Sequence, residues 1–307
     1  MLGVSIEKSA LNQIPDRQNA PDQLALMRAR QQTYQRAKRL LILQFALTVG
    51  LPVVAAVAAL AAPAIRPYTA VLSLLISTVD VTVLDRTQRN YIKLAAKIAE
   101  AFDCAVLELP WNAFVAGKRP EHETLAEAER AWRGGDEGIR NWYPVAVGKA
   151  PLHLARIICQ RTNLWYDAAL RRHYGSWVLG STLVLLVLLL MAALATGLTV
   201  EVFIASVLAP AGPIVIWAFR EYFRQRDTAE AQEAVKADAE ALWVRVRDGG
   251  CHEDECGDLS RAFQNAIYTR RAASPLMLPL VYKLRRNGME DQMNKGAAAY
   301  LAEVGVR

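Results

Sequence analysis

The sequence predicts an all-α membrane protein in which four transmembrane helices form two hairpins and continue into an α-rich cytoplasmic domain. Two observations predict this class: long apolar segments with almost no charge, and basic residues concentrated on one side of them. The chain has 307 residues, is 53% hydrophobic and has a mean hydropathy of +0.12, although 21% of its residues are charged. A positive mean hydropathy in so charged a chain indicates that apolar and charged residues occupy separate segments.

Four segments have the composition that a membrane helix of about 20 apolar residues requires. The first and third are apolar on every face, unlike core helices of soluble proteins, which are polar on one face. We therefore predict four membrane spans. In chain order they are Leu40–Ala62, Tyr68–Leu84, Trp177–Leu198 and Val202–Phe219.

Short connectors pair the four spans into two hairpins, so the three soluble parts share one side of the membrane. The soluble parts are an N-terminal arm (1–39), a central region (85–176) and a C-terminal region (220–307); the hairpins are 40–84 and 177–219. The soluble parts hold 7, 14 and 14 of the 36 Lys and Arg residues, and only Arg66 lies on the opposite side. Because cytoplasmic loops carry the excess of Lys and Arg, both termini are predicted to be cytoplasmic.

The soluble parts are predicted to be helical, because their apolar residues recur at helical spacing without alternating strands. The segment Pro151–Leu198 has no internal proline, so one helix is predicted to run from the central region into the third span. The other soluble helices are predicted at 21–39, 86–102, 121–133, 220–246 and 289–304. The first 23 residues lack the apolar core of a signal peptide, so no cleavage is expected.

The sequence CHEDEC, Cys251 to Cys256, places two thiols, one histidine and three carboxylates together. A structural zinc site usually needs a second ligand pair at a set spacing, and none follows, so a solvated acidic loop is predicted and no metal. The four cysteines lie in predicted cytoplasmic segments, where thiols stay reduced. Disulfides are therefore not expected.

The second predicted span carries a polar seam, because Thr69, Ser73, Ser77 and Asp80 fall on one face of a helix. A carboxylate in hydrocarbon costs at least ~2.5–3.5 kcal/mol and usually faces water or a partner. We therefore predict that the seam lines a conduit in an oligomer and that Asp80 favours cations. The alternative is a helix-packing seam of small hydroxyl residues, which explains the hydroxyls but not Asp80.

The fourth predicted span contains Pro210 and Pro213. Proline inside a membrane helix interrupts the backbone hydrogen bonds and kinks the helix. A bend is therefore predicted here, either static or acting as a hinge for the cytoplasmic arm 220–246.

Four motifs resemble those of one bacterial family. They are NQIPDRQN (12–19), FDCAVLELPWN (102–112), NWYP (141–144) and ICQRTNLWYDAALRRHY (158–174). In this order, between four spans, they are similar to the S-4TM family of four-transmembrane effectors of bacterial nucleotide-second-messenger systems. The resemblance implies a homo-oligomer in the inner membrane lipid bilayer that acts beside a cyclic-oligonucleotide synthase. A cyclic di- or trinucleotide signal would open the membrane and end phage production by abortive infection; direct DNA or RNA binding is not expected.

Such a signal presents phosphates, which arginine binds with two prongs, and purine faces, which aromatic rings stack for ~1–3 kcal/mol each. Side chains of matching chemistry within the motifs or beside them are therefore predicted to contact the ligand. They are Arg17, Gln18, Trp111, Asn112, Trp142, Tyr143, Arg156, Gln160, Arg161, Asn163 and Trp165. The alternative is a polar network that fastens the N-terminal arm to the long helix. Either way, that helix would transmit movement to the third span.

No catalytic constellation is present: the sequence has no glycine-rich phosphate loop, no nucleophile elbow and no His/carboxylate pair at metal spacing. A lipid-modifying enzyme would need nucleophile or metal chemistry at the interface, for which His173 beside Arg171 and Arg172 is a thin basis. We therefore predict that the protein is not an enzyme and needs no cofactor. A membrane scaffold without pore activity is the alternative function.

Overall fold

The computed structural model describes residues 12–51, 53–55, 58, 64, 66–195, 197, 199–204 and 208–306. Over these residues the regular structure is helical, with no strand, so the all-α prediction is confirmed. The α-helices are α1 (Ile14–Arg17), α2 (Pro21–Phe45), α3 (Arg66–Val79), α4 (Asp85–Val106), α5 (Ala113–Ala116), α6 (His122–Ala131), α7 (Leu152–Ala195), α8 (Val200–Phe203), α9 (Ala209–Arg247), α10 (Glu253–Ala273) and α11 (Pro279–Glu303).

Two helical stretches among the described residues are long and apolar enough to cross a membrane by length and composition. They are Pro21–Ala55, which contains α2, and Leu152–Ala195, which is α7. The second and fourth predicted spans stay predictions. The end of the first span (52, 56, 57 and 59–62) and residues 205–207 of the fourth lie outside the described residues.

Helix α7 joins the soluble body to the predicted third span without a break, as the sequence predicts. Its 44 residues extend about 66 Å at 1.5 Å per residue. Ile157, Ile158 and Leu164 in its first half are buried, whereas Val187 and Leu188 in its second half are exposed. Exposed apolar side chains in a long row indicate a surface that another apolar phase covers. The first half of α7 therefore packs within the body, and its second half is suited to a bilayer.

Helix α9 packs against α7 along the boundary between the two halves. Tyr174, Val178 and Ala218 form a buried apolar cluster there. At Gly175 the two helices approach closely, because an added Cβ would lie 3.5 Å from a ring carbon and 3.6 Å from the backbone oxygen of Tyr222. The two helices therefore form one pair whose contacts run from the body toward the membrane.

The core of the soluble body collects side chains from helices far apart in sequence. Its largest apolar cluster includes Ile14 of α1, Met27 of α2, Leu107 after α4, Ile158 of α7 and Leu301 of α11. All five are 3% exposed or less. Burying a large aliphatic side chain contributes about 1.5–3 kcal/mol, so this cluster holds the N-terminal arm and the C-terminal helix α11 on one body.

Three predictions for the C-terminal region are wrong: the acidic loop, the absence of disulfides and the start of the last helix. Glu253, Asp254 and Glu255 form the first turn of α10 and not a loop, because acidic residues are stabilised at a helix N-terminus. Cys251 and Cys256 are paired as a disulfide with their Cα atoms 6.2 Å apart, within the range that a disulfide spans. Helix α11 begins at 279, ten residues before its predicted start.

The close approach at Gly175 gives a stability prediction. Gly175→Ala should be tolerated because the new Cβ makes ordinary contacts of 3.5–3.8 Å with Tyr222 and Gln225. Gly175→Leu should force α7 and α9 apart and cost roughly 1–3 kcal/mol, as overpacking does. Thermal unfolding in detergent, followed by circular dichroism, measures the difference.

Gly180 of the same helix is the matched control, because no atom lies within 4 Å of an added Cβ. Gly180→Leu should unfold at the same temperature as the wild type. Equal losses from Gly175→Leu and Gly180→Leu would contradict the proposed packing.

Candidate functional site

Two carboxylates on α4, Glu100 and Asp103, are buried in the soluble body. Each is 1% exposed. Arg261 of α10 donates to Glu100 at 2.5 Å, and Arg271 of the same helix donates to Asp103 at 2.9 Å. Gln264, between the two arginines, donates to both carboxylates at 2.9 Å. Each buried charge therefore has an opposite charge and a further hydrogen bond, which buried ion pairs require.

This ionic network reaches the N-terminal arm through Tyr143. The hydroxyl of Tyr143 donates to Asp103 at 2.7 Å. Its backbone N–H donates to the Gln18 side chain at 2.7 Å, and the Gln18 amide donates back to the Tyr143 carbonyl at 3.2 Å. Gln18 and Tyr143 are both buried, so the arm is fastened to the NWYP segment inside the body.

Burial and charge shift the pKa values of the groups in this network. Burial, and then the charge of Asp103, raises the pKa of Tyr143 well above its usual value. Burial by itself lowers the pKa of Arg271, but the charge of Asp103 and other groups together raise it by a larger amount. The pKa of Arg271 therefore lies above its usual value. Burial and the charge of Glu100 raise the pKa of Cys104 to about 12. Tyr143 and Cys104 therefore stay neutral and Arg271 stays charged across the physiological range.

Two of the predicted ligand arginines contact the segment after α4. Arg17 forms a half-exposed ion pair of 2.7 Å with Glu108. Arg156 donates to the backbone carbonyls of Leu107 at 2.6 Å and Glu108 at 2.8 Å, and burial lowers its pKa. Both arginines therefore hold the middle of the FDCAVLELPWN motif in place, just after α4 ends.

Two other predicted polar residues on this part of α7, Arg161 and Gln160, also have partners within the body. Arg161 donates twice to one oxygen of Glu240, at 2.9 and 2.8 Å, and its guanidinium lies 4.8 Å from the ring centre of Tyr300. Gln160 is fully buried and donates to the carbonyl of Ser260 at 2.7 Å. These contacts join α7 to α9, α10 and α11.

Trp111 and Asn112 close the turn before α5. The Trp111 indole N–H donates to the carbonyl of Gly117 at 2.9 Å. The Asn112 side chain accepts from the N–H of Phe114 at 3.1 Å as the N-cap, and donates to Asn265 at 3.3 Å. These contacts give both residues a local role in the turn.

The remaining predicted residues, Trp142, Asn163 and Trp165, lie in different places. Trp142 and Asn163 line two adjoining cavities of about 180 and 260 Å³, while half-buried Trp165 lines neither. We call the two adjoining cavities the cleft; it lies between α2, α7, the NWYP segment and the chain from α10 to α11. The guanidinium of Arg30 lies 4.4 Å from the ring centre of Trp142 at this cleft. Tyr143, whose hydroxyl bonds to Asp103, also lines the second cavity. The structure therefore brings three of the predicted aromatic and amide contacts to a cavity: Trp142, Tyr143 and Asn163.

Sequence reasoning missed Glu100 and Asp103, which organise the body. They stand three residues apart in a helix whose neighbours Ile98, Ala99 and Phe102 are buried and apolar. Carboxylates on the apolar side of an amphipathic helix are an available signal of buried partners. Their partners, Arg261 and Arg271, lie on α10, where no helix was predicted. No comparable signal marked these two arginines in the sequence.

Asp80 of the predicted pore seam has a partner within the chain. The amide of Gln44 donates to Asp80 at 2.8 Å, and Gln88 donates to Gln44 at 2.6 Å. Ser77, which is exposed, donates to the carbonyl of Ser73 at 2.8 Å. The helix-packing alternative therefore gains an explanation for Asp80 that the sequence did not supply.

Thr69 and Pro210 lie in α3 and α9, but their side chains are outside the described part of the structure. Pro213 lies inside α9 near its start at Ala209, where a proline removes a backbone hydrogen bond. Helix α9 then continues to Arg247. The hinge at these prolines stays a prediction.

The ionic network gives a second stability prediction. Asp103→Ala leaves Arg271 buried without its carboxylate and should cost about 3–5 kcal/mol. Asp103→Asn keeps an acceptor for Tyr143 but loses the charge, so part of that cost is expected. Denaturant unfolding in detergent measures both variants.

Glu127→Ala is the control, because Glu127 forms an exposed ion pair with Arg36 and should cost about 1 kcal/mol or less. If Asp103→Ala lowered the free energy of unfolding by no more than Glu127→Ala does, the network would not have a central role in stability.

Comparisons with known proteins cover almost the whole chain. The family model of the SMODS-associating 4TM effector domain matches residues 12–300. A probable CBASS effector molecule of Bacillus cereus (strain VD146) is 20% identical over 284 residues, which cover 91% of this chain and 95% of that protein. No solved structure matches. The resemblance predicted from the four motifs is confirmed: the chain belongs to the SMODS-associating 4TM effector domain family.

Proposed function

We propose that this chain is the membrane effector of a bacterial anti-phage system. It senses a cyclic oligonucleotide with its cytoplasmic body, assembles as a homo-oligomer and permeabilises the inner membrane without catalysing a reaction. The family description and the relative named as a probable CBASS effector support the effector role. Pore formation, assembly and sensing are parts of the proposal for which the architecture supplies a physical route.

Helix α7 is the observation that carries this proposal. Arg156, Gln160 and Arg161 bind its first half to the body, and its second half exposes apolar side chains such as Val187 and Leu188. Because a helix transmits displacement along its axis as a rigid element, a ligand that shifts the body moves the membrane half as well. A ligand acts this way only if it binds the two arrangements with different affinity.

The four-span arrangement belongs to the proposal too. Exposed apolar side chains occur in all four predicted spans, including Ile42, Leu74, Leu188 and Ile216. In lipid these side chains need no protein partner, whereas in water they would form a large apolar surface. Both termini are proposed to be cytoplasmic because of the distribution of Lys and Arg.

The direct experiment is co-expression of this chain with a cyclic-oligonucleotide synthase in bacteria. An active synthase should cause uptake of a membrane-impermeant dye and growth arrest, and a synthase without catalytic activity should cause neither. Purified protein in liposomes should release trapped ions when the synthase product is added. Intact membranes in both assays would favour the scaffold function.

Asp80 tests whether the polar seam lines the conduit. Asp80→Asn removes the charge but can still bond to Gln44, so it separates ion selection from helix packing. If the seam lines the conduit, the preference for cations over anions in liposome flux should fall roughly twofold or more.

Thr78→Ala is the control, since the Thr78 hydroxyl is exposed and bonds to the Leu74 carbonyl at 2.9 Å. It should leave selectivity unchanged. Unchanged selectivity in Asp80→Asn as well would assign Asp80 to helix packing alone.

A further inference from the structure

The cleft has the size and position of a ligand site. Its two cavities, of about 180 and 260 Å³, share Trp142, Asn163 and Tyr166. Small-molecule pockets typically enclose about 300–1,000 Å³, so the two together reach the lower part of that range. The predicted ligand arginines Arg17 and Arg156 line neither cavity.

The first cavity carries an excess of positive charge. Its lining includes four basic residues and one carboxylate. The basic residues are Arg30, Lys38, Arg171 and Arg271; the carboxylate is Asp167. Burial, and then the charge of Arg30, lowers the pKa of Lys38. An anion placed among these groups would relieve the unfavourable charge and be bound by it.

Within the part of the chain that the structure describes, Nδ2 of Asn163 and Oγ of Ser274 are buried polar atoms of the same lining that have no hydrogen-bond partner. Ser274 is 9% exposed. A buried polar group left without a partner costs about 1–3 kcal/mol, and both groups can donate. Phosphate oxygens would accept from both while bonding to the neighbouring cations.

The aromatic side chains and the second cavity suit a planar base. Arg30 lies over the rings of Trp142 and Tyr34, 4.4 and 5.3 Å from their centres, which holds its guanidinium at the cavity. Trp142 and Tyr166 stand where the two cavities meet. Amides and carboxylates complete the second lining, with Asn141, Glu137, Glu290 and Asn294 among them. Such groups hydrogen-bond the polar edge of a base.

We propose that the cleft is a binding site for a phosphate-bearing ligand with a planar base. Phosphate oxygens bind at Arg30, Lys38, Asn163 and Ser274, and the base lies against Trp142. The cyclic-oligonucleotide class rests on the proposed function; the placement at the cleft, away from Arg17 and Arg156, rests on the contacts above.

The cleft also has a connection to the membrane helices. Arg171, which lines it, donates to Asp167 at 2.7 Å, to Gln225 at 2.7 Å and to the carbonyl of Pro275 at 2.9 Å. Gln225 donates in turn to the carbonyl of Leu276 at 3.1 Å. These bonds join α7, α9 and the segment after α10 just below the predicted spans. An anion beside Arg171 competes with them, so occupancy changes how α7 and α9 are held.

A lipid headgroup carries the same phosphate chemistry, and the depth of the cleft distinguishes the two sources. Lys38 lies two residues before the predicted first span, but Arg30 lies ten residues before it, about 15 Å at helical rise. Trp142 lies against Arg30. A headgroup at the bilayer surface would reach Lys38 but not the aromatic end of the cleft.

The experiment measures binding by full-length protein in phosphatidylcholine nanodiscs with calorimetry and thermal unfolding. The probes are cyclic di-AMP, cyclic di-GMP, cyclic GMP–AMP and cyclic tri-AMP, with pyrophosphate as the phosphate-only probe. At least one nucleotide should bind, and more tightly than pyrophosphate. A parallel arm replaces part of the phosphatidylcholine with phosphatidylglycerol.

Two variants separate a ligand role from a structural one. Burial lowers the pKa of Lys38 and so disfavours its charged form. Lys38→Met removes the charge but keeps an apolar side chain of similar length, so the unfolding temperature should stay close to that of the wild type. Ser274→Ala removes a hydroxyl without a partner and should not lower it either. Nucleotide affinity should nevertheless fall about tenfold or more in Lys38→Met and about three- to tenfold in Ser274→Ala.

Two controls match these variants. Ser260 also has a buried hydroxyl without a partner but lies outside the cleft. Arg17 is a motif arginine outside it. Ser260→Ala and Arg17→Ala should each keep the affinity within about twofold.

If Arg17→Ala lost nucleotide affinity and Lys38→Met bound the nucleotide like the wild type, the cleft would not be the binding site. The proposed function would remain intact. Failure of every nucleotide to bind, or stabilisation by phosphatidylglycerol alone, would also overturn the cleft as the binding site. Nucleotide binding at the cleft without ion release from liposomes would support the site and contradict the proposed function.

Discussion

The burial of two carboxylates on α4 is the constraint on which the soluble body depends. Removing Glu100 and Asp103 from water costs several kcal/mol per ion unless opposite charges and hydrogen bonds replace the lost solvent. Arg261, Gln264 and Arg271 supply them from α10. Because these contacts are directional, α10 can dock in only one register, and every element that packs on it is positioned as a consequence.

The same constraint explains the motifs. Asp103 lies in FDCAVLELPWN and bonds to Tyr143 of NWYP, whose backbone bonds to Gln18 of NQIPDRQN. Arg156, beside the fourth motif, donates to the carbonyls of Leu107 and Glu108 in FDCAVLELPWN. Motifs far apart in sequence therefore form one polar framework. Arg17, Arg156 and Arg161 are occupied by partners within the body, which is why the cleft, and not these three arginines, offers charge and hydrogen-bond donors to a ligand.

In the predicted membrane spans, a different set of interactions holds the helices together. Lipid supplies no driving force for apolar side chains to pack together, so interhelical hydrogen bonds count for more there. Gln44 and Asp80 form such a bond between the first two predicted spans. At the body, Arg171 joins α7 to α9 through Gln225. Among the described residues, the buried ion pairs lie in the body, and these two polar links join the helices at and near the membrane.

The sequence by itself determined the helical class, the position of α7 and the uneven distribution of charge, because hydropathy and helical period are local properties. It also identified the family from four short motifs. It could not supply the start of α11, the existence of α10 or the pairing of Cys251 with Cys256, because neighbouring helices override weak local signals. Only the tertiary structure decided which polar residues are satisfied. Asp103 and Arg271 stand 168 residues apart, and their pairing arises from packing that no local pattern records.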